Sequence, residues 1–177
     1  DADRRDLIRQ RMHRTVGNPV AKAAIDMALW DIIGQAWSMP VHRLLGGFTD
    51  KLRVSHMLGF DTPEVMVAEA GKMRDRYGIS TFKVKVGRRP IDADVEVVRA
   101  LRQTLGDKAE LYIDGNRGWS PSESARALEQ LADVGLTLAE ELCPADDVLG
   151  RRWLVNRCSV PFVADESVST SAEVTRE

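Results

Sequence analysis

The 177 residues suffice for one domain with a sizeable core. At 44% hydrophobic and 29% charged, with a net charge of -2, the chain lacks the basic excess of proteins that bind nucleic acid or anionic membranes. No apolar run approaches the ~20 residues of a membrane span, the opening DADRRDLIRQ has no signal-peptide core, and two lone cysteines, Cys143 and Cys158, fit a reducing cytoplasm.

The chain opens on Asp rather than Met, so it is expected to be processed or to be part of something longer. In chain order, NPVAKAAIDMALWDIIG starts with Asn18 as a cap and Pro19 at the first helical position. It is apolar nearly all round, which predicts a helix buried on most sides. WSMPVHRLLGGFTD then reads as a connector, giving a helical lead-in over residues 1–50 and a second unit over 51–177.

From Arg53 onward a short apolar strand, a turn and an amphipathic helix recur. The strands are RVSHML (53–58), TFKVKV (81–86), ELYID (110–114), LTLAEE (136–141) and VPFVAD (160–165), starting 24 to 29 residues apart. That is the length of a βα unit. Between the strands, Thr62 and Pro63 start a helix with Met66, Ala70, Met73 and Tyr77 on one face, stopped by Gly78. IDADVEVVRALRQTLGD aligns Val95, Val98 and Leu105 in the same way. Ser120, Pro121 and Glu123 form a capping box ahead of a helix that buries Leu128 and Leu131 before Gly135. Such alternation implies parallel strands with both sheet faces covered, in an open doubly wound sheet or a barrel.

The strand ends favour the barrel. Asp114 in YIDGN, Glu140 and Glu141 in LAEELCP, and Asp165 in VADES end three strands in succession. In a parallel barrel these ends meet at the mouth where such folds carry their chemistry. Carboxylates brought together repel unless a cation lies among them, and oxygen donors of this kind suit Mg²⁺ or Mn²⁺. Strand parity alone allows either Glu140 or Glu141 to join them. Lys83 and Lys85 share one face of the second strand; if they point inward, Phe82, Val84 and Val86 face the helices. Two neighbouring amines beside a divalent cation disfavour each other's charge, lowering the pKa toward useful proton transfer.

These residues resemble the enolase superfamily and, within it, the muconate lactonizing subgroup, through FKVKVG, DGNRGW, AEELCPADD and ADES, with NPVAKAAIDMALWDIIG and VHRLLGG similar to the family's lead-in. The resemblance implies a TIM-type (β/α) barrel with Asp114, Glu140 and Asp165 as metal ligands. Glu140 is taken over Glu141 by aligning PADD, and Asp165 in place of a glutamate favours the lactonizing over the mandelate racemase subgroup. It further implies Lys85 in proton transfer with Lys83 tuning it, and Asn116 as a polar contact to ligand or substrate. His56, at the end of the first strand, is a candidate to line the substrate pocket, although a packed or surface histidine is the commoner case; Arg117 is a candidate contact to a substrate carboxylate whose default is an exposed loop arginine, and Trp119, His13 and His42 read as structural.

The reaction implied is conversion of cis,cis-muconate to muconolactone, a small dicarboxylate substrate, with Mg²⁺ or Mn²⁺, in a cytoplasmic homo-oligomer. Nothing points to a nucleic-acid or membrane partner. Dipeptide epimerisation, N-acylamino acid racemisation and o-succinylbenzoate synthesis would use the same residues. A Schiff-base aldolase or an inactive remnant are the rivals from other classes. The family's barrel has eight βα units and only about five are read here, so the second catalytic lysine is expected beyond Glu177.

Overall fold

The computed structural model describes residues 4–176, which fall into two compact units that part between Leu52 and Arg53. The first unit holds α1 (Arg5–His13), α2 (Pro19–Ala36) and α3 (Val41–Leu44), the last a short helix inside the stretch read as connector. Burial of α2 on most sides is not what the structure shows. Only Ile33 and Gly34 are buried, and Val20, Ile25, Met27 and Ile32 lie exposed. Its neighbours α1 and α3 have nine and four residues, too few to cover eighteen all round. Asn18 does not cap it either, because the residue sits in the left-handed region and its side-chain amide donates back to the Val16 carbonyl.

The second unit alternates β1 (His56–Leu58), α4 (Pro63–Tyr77), β2 (Thr81–Lys85), α5 (Ile91–Leu105), β3 (Glu110–Asp114), α6 (Pro121–Gln130), β4 (Ala139–Glu140), α7 (Val148–Arg157), β5 (Phe162–Val163) and α8 (Ser171–Arg176). The five strands pair in parallel in sequential order, β1 to β5. An open doubly wound sheet reverses its strand order at a switch point, whereas an arc of a barrel adds each strand on the same side. The order seen is that of the barrel.

Burial separates the two faces. Phe82, Val84, Leu111, Ile113 and Ala139 are fully buried beneath the helices. Met57, paired with Lys83, and Val163, paired with Glu140, are 54% and 41% exposed. One face of this sheet is therefore covered and the other partly open, where full cover of both was expected. Among the described residues no helix is long and apolar enough to cross a membrane.

The helix punctuation works as its chemistry dictates. Thr62 Oγ1 accepts from the Val65 amide and Gly78 ends α4 with φ 68°. Ser120 and Glu123 form both halves of the capping box on α6. Tyr77 leaves the face assigned to it: Met66 and Ala70 are buried, but Tyr77 at the last turn is 58% exposed.

Glycines let the loops after β2, β3 and β4 close on one another. A Cβ on Gly118 would stand 2.7 Å from the Gly87 carbonyl oxygen, and one on Gly115 would stand 2.8 Å from the Leu142 Cα. The loop after β2 is also tied to α5 by Asp94. Its carboxylate accepts from the Gly87 and Arg88 amides at 2.8 Å each and from Arg88 Nε at 2.6 Å. Asp94→Ala strands three partly buried donors, so it is expected to lower the unfolding free energy of the full-length protein by about 2 kcal/mol, read by urea denaturation.

Candidate active site

Strand alternation turns every second residue of β2, β3 and β4 to the open face. In register, Lys83 stands opposite Tyr112, Lys85 opposite Asp114, and Asp114 opposite Glu140. The two lysines and two of the acids are thereby neighbours at the C-terminal ends of three adjacent strands. Lys83 Nζ lies 2.8 Å from Asp114 Oδ2 and 2.8 Å from Glu140 Oε1. Lys85 Nζ donates to Asp114 Oδ2 at 2.6 Å and also to Asn116 Oδ1. Asp114 Oδ1 accepts the Asn116 amide at 2.9 Å, which folds the DGN turn over the carboxylate.

The Asp114 side chain is fully buried while those of Lys83 and Lys85 are 20% and 18% exposed. Burial raises the Asp114 pKa, but hydrogen bonds from Lys83 and Lys85 outweigh it and hold the carboxyl below its ordinary value. Burial pulls the Lys83 pKa down, yet the hydrogen bonds to Asp114 and Glu140 win and push it up. Without an ion beside it, the direction for Lys83 is therefore upward. One ammonium between two carboxylates gains more from them than it loses by desolvation.

The ambiguity between Glu140 and Glu141 has a geometric outcome. Glu140 points to the lysine face; Glu141 turns to the helix side, where it is buried and its Oε1 accepts from Arg151 Nη1 at 2.8 Å. His56 does not line the pocket. It pairs with Phe82 on the helix side of the sheet, and its Nε2 lies 2.7 Å from Glu69 Oε1 of α4. Its ring stands edge-on to Phe82 at 6.5 Å. Trp119 is buried and donates from Nε1 to the Arg88 carbonyl at 3.0 Å, a packing role.

Asp165 does not reach the other two acids as expected. It follows β5 in an exposed position, and among the described residues no three His, Cys, Asp or Glu side chains converge closely enough to hold a metal ion. Asp114 and Glu140 do converge, with the Lys83 ammonium between them. The neighbouring Glu166 was missed in the sequence. Its Oε1 accepts from Asn116 Nδ2 at 2.9 Å, while its Oε2 is buried without a hydrogen-bond partner. An acid directly after a strand-end acid was the available signal.

The donor set fits a hard divalent cation in kind. Asp114, Glu140 and Asp165 offer only carboxylate oxygens, a positive charge already bridges two of them, and an orphaned carboxylate oxygen lies on the next residue.

The chain is similar to known proteins. The family described as "Enolase C-terminal domain-like" matches residues 65–177, and "Mandelate racemase / muconate lactonizing enzyme, N-terminal domain" matches residues 1–46. A muconate lactonizing enzyme from Mucobacterium Smegmatis, solved in complex with muconolactone, is 62% identical, with a TM-score of 0.96 over 99% of this chain and 48% of that one. A dipeptide epimerase from Enterococcus faecalis V583, solved with Mg and the dipeptide L-Leu-L-Tyr, is 32% identical, with a TM-score of 0.86 over 93% of this chain and 48% of that one. The L-Ala-D/L-Glu epimerase of Clostridium acetobutylicum is 36% identical over 163 residues, 91% of this chain and 45% of that protein. The chain spans about half the length of the curated relatives it matches. Two family matches that run in order along the chain, on a sequential parallel sheet with a Lys-x-Lys pair facing strand-end acids, place it in the enolase superfamily, in the muconate lactonizing enzyme subgroup.

Proposed function

We propose that the full-length protein is an isomerase that converts cis,cis-muconate to muconolactone. The observation that carries this reading is the 62% identity, over 99% of the chain, to the muconate lactonizing enzyme solved with muconolactone. Asp114, Glu140 and Asp165 are assigned as the residues that hold a divalent ion, Mg²⁺ or Mn²⁺. Bound there, the ion supplies Lewis-acid stabilisation of the negative charge that builds on a substrate carboxylate.

The chain's own residues supply the proton chemistry. In the reaction one carboxylate oxygen of muconate forms a C–O bond to the diene, and the electron pair moves toward the other carboxylate. The carbon next to that carboxylate then takes a proton. Lys85 is the assigned donor, with Asp114 and Asn116 fixing its Nζ by hydrogen bonds. Lys83, held charged between Asp114 and Glu140, keeps the positive field beside it. Asn116 spans from Lys85 to Glu166 and so sets the side from which the amine approaches.

A second reading is dipeptide epimerisation, favoured by the 36% identity to the L-Ala-D/L-Glu epimerase. It would use the same lysine to move the α-proton. Loss of the ultraviolet absorbance of cis,cis-muconate on adding the full-length protein supports the first reading. Exchange of the α-proton of L-Ala-L-Glu for deuterium without muconate turnover would replace it with the second. In either case EDTA is expected to abolish activity and added Mg²⁺ or Mn²⁺ to restore it; activity untouched by EDTA, with the carbonyl substrate trapped by borohydride, would favour a Schiff-base lysine.

A further inference from the structure

The turn after β3 carries two consecutive non-glycine residues in the left-handed region, Asn116 at φ 39° and Arg117 at φ 66°. Such a conformation persists where the surroundings over-determine it. They do so here: the Asn116 amide donates to Asp114 Oδ1 at 2.9 Å, and the Arg117 amide donates to the Glu141 carbonyl at 2.7 Å. The backbone of the turn is fixed at both residues, and it sets the Asn116 side chain between the end of β2 and the loop after β5.

The side-chain amide of Asn116 then meets two partners of opposite kind. Its Oδ1 accepts from Lys85 Nζ, and its Nδ2 donates to Glu166 Oε1 at 2.9 Å. An ammonium can only donate and an ionised carboxylate can only accept, so each partner selects the opposite end of the amide. Turned over, the same side chain would set NH₂ against NH₃⁺ and C=O against a carboxylate. Lys85 Nζ also donates to Asp114 Oδ2 at 2.6 Å, and with two of its three N–H bonds taken the direction of the third is determined. Glu166 is held close in: its side chain is 26% exposed, its Oε1 also lies 3.8 Å from Arg117 Nε, and its Oε2 is buried without a hydrogen-bond partner. A buried oxygen left unsatisfied adds nothing to stability, so the place of this carboxylate calls for another account.

We propose that Glu166 is a positioning residue: through the Asn116 amide it fixes which atom faces Lys85, and so aims the amine that delivers the proton. Its effect on that nitrogen runs through Asn116. The inference rests on Lys85 as the proton donor of the proposed reaction, and not on where a divalent ion binds. Glu166→Ala removes the acceptor and frees the amide to turn. Glu166→Gln keeps an acceptor oxygen at the end of a side chain of the same length. Asn116→Gly removes the amide and keeps a backbone that tolerates φ 39°.

The test is steady-state kinetics of the full-length protein on cis,cis-muconate for Glu166→Ala, Glu166→Gln, Asn116→Gly and the variant combining Glu166→Ala with Asn116→Gly. Misaiming a reacting group costs up to about 100-fold, so Glu166→Ala is expected to lower kcat by about 10–100-fold with KM within about threefold of wild type. Glu166→Gln should recover most of that loss, and Glu166→Ala should cost nothing further in the Asn116→Gly background. On the metal-free protein labelled with ¹⁵N-asparagine, the Asn116 Nδ2 proton resonances should move upfield in Glu166→Ala and far less in Glu166→Gln. Should Glu166→Ala fail to fold, Glu166→Asp withdraws the acceptor by one methylene and is expected to show the same loss of kcat and the same upfield movement. A Glu166→Ala enzyme within about threefold of wild type, or a loss that Glu166→Gln does not recover, would overturn the positioning role. So would unmoved Asn116 resonances, or an undiminished cost of Glu166→Ala in the Asn116→Gly background, which would mean that Glu166 acts by another route. Lys85→Ala at wild-type turnover, or a wild-type protein that converts no muconate, would instead remove the reading on which this inference rests.

Discussion

Lys85→Ala in the full-length protein is expected to lower kcat for muconate turnover by about 10³-fold, within the 10²–10⁴ range that a positioned proton donor contributes. KM should change far less, because an interaction made only as the proton moves leaves ground-state binding nearly untouched. The surroundings of the two lysines differ. Lys83 is held between two carboxylates, Asp114 and Glu140, and its proton is pinned by both. Lys85 shares Asp114 but has a neutral amide, Asn116, as its other partner. Lys83, with a carboxylate on either side, is placed to hold charge at the site, and Lys85, with a neutral amide as its second partner, is the assigned donor. Lys83→Ala is accordingly expected to cost less in kcat than Lys85→Ala; steady-state kinetics of the two variants on one preparation decide it, and a Lys85→Ala enzyme within tenfold of wild type would refute the assignment.

Asp114→Asn is the second large effect. Its carboxylate is the hub of the site, fully buried and within 2.8 Å of both ammonium groups. The amide keeps the shape but removes the charge, leaving two neighbouring cations with Glu140 as their remaining close acid. The expected result is a loss of Mn²⁺ affinity of about 100-fold and a fall in turnover of about 10³-fold, with a modest loss of stability in the metal-free protein. The pH dependence has a definite sign. The Asp114 pKa is depressed in the folded protein, so its stabilising contribution is complete above the ordinary aspartate value of 3.8 and is lost as the pH falls through the lower folded value. Asn at this position has no ionisable proton and shows no such loss, so the stability gap between the two proteins should narrow in acid. Urea denaturation of both across that range measures it.

Much of the framework was legible because it rests on local chemistry. β3 spans Glu110–Asp114, the same five residues read from ELYID, and the capping box on α6 forms as written in SPSE. The shorter strands were over-read. LTLAEE is in strand register only through Ala139 and Glu140; at its C-terminal end Glu141 turns out of the strand conformation to grip the next loop. That turn is also what the sequence left open between the two glutamates, since parity cannot report where a strand stops alternating.

His56 shows the same limit from the other side. Reading RVSHML as one strand placed it near the mouth, but pairing starts at His56, in register with Phe82, which puts the imidazole among the helices. The Lys-x-Lys face was legible from alternation alone, and Phe82 and Val84 at zero exposure confirm which side is which. The direction of the Lys83 shift was not, since it depends on both carboxylates lying within 2.8 Å of one nitrogen. Asp165 is the residue whose placement depends most on the loop that carries it rather than on strand periodicity. The apolar circumference of α2 is an example of pattern without partner, for hydrophobicity names a surface to be covered and not what covers it.

The measurement that bears most directly on the central claim is a crystal structure of the full-length protein soaked in Mn²⁺ with anomalous data at the manganese edge. A single anomalous peak within direct coordination distance of oxygens of Asp114, Glu140 and Asp165, with the Lys83 ammonium displaced from between the first two, is the result expected. A well-ordered site with Asp114 and Glu140 still bridged by Lys83 and no peak among the three acids would contradict it.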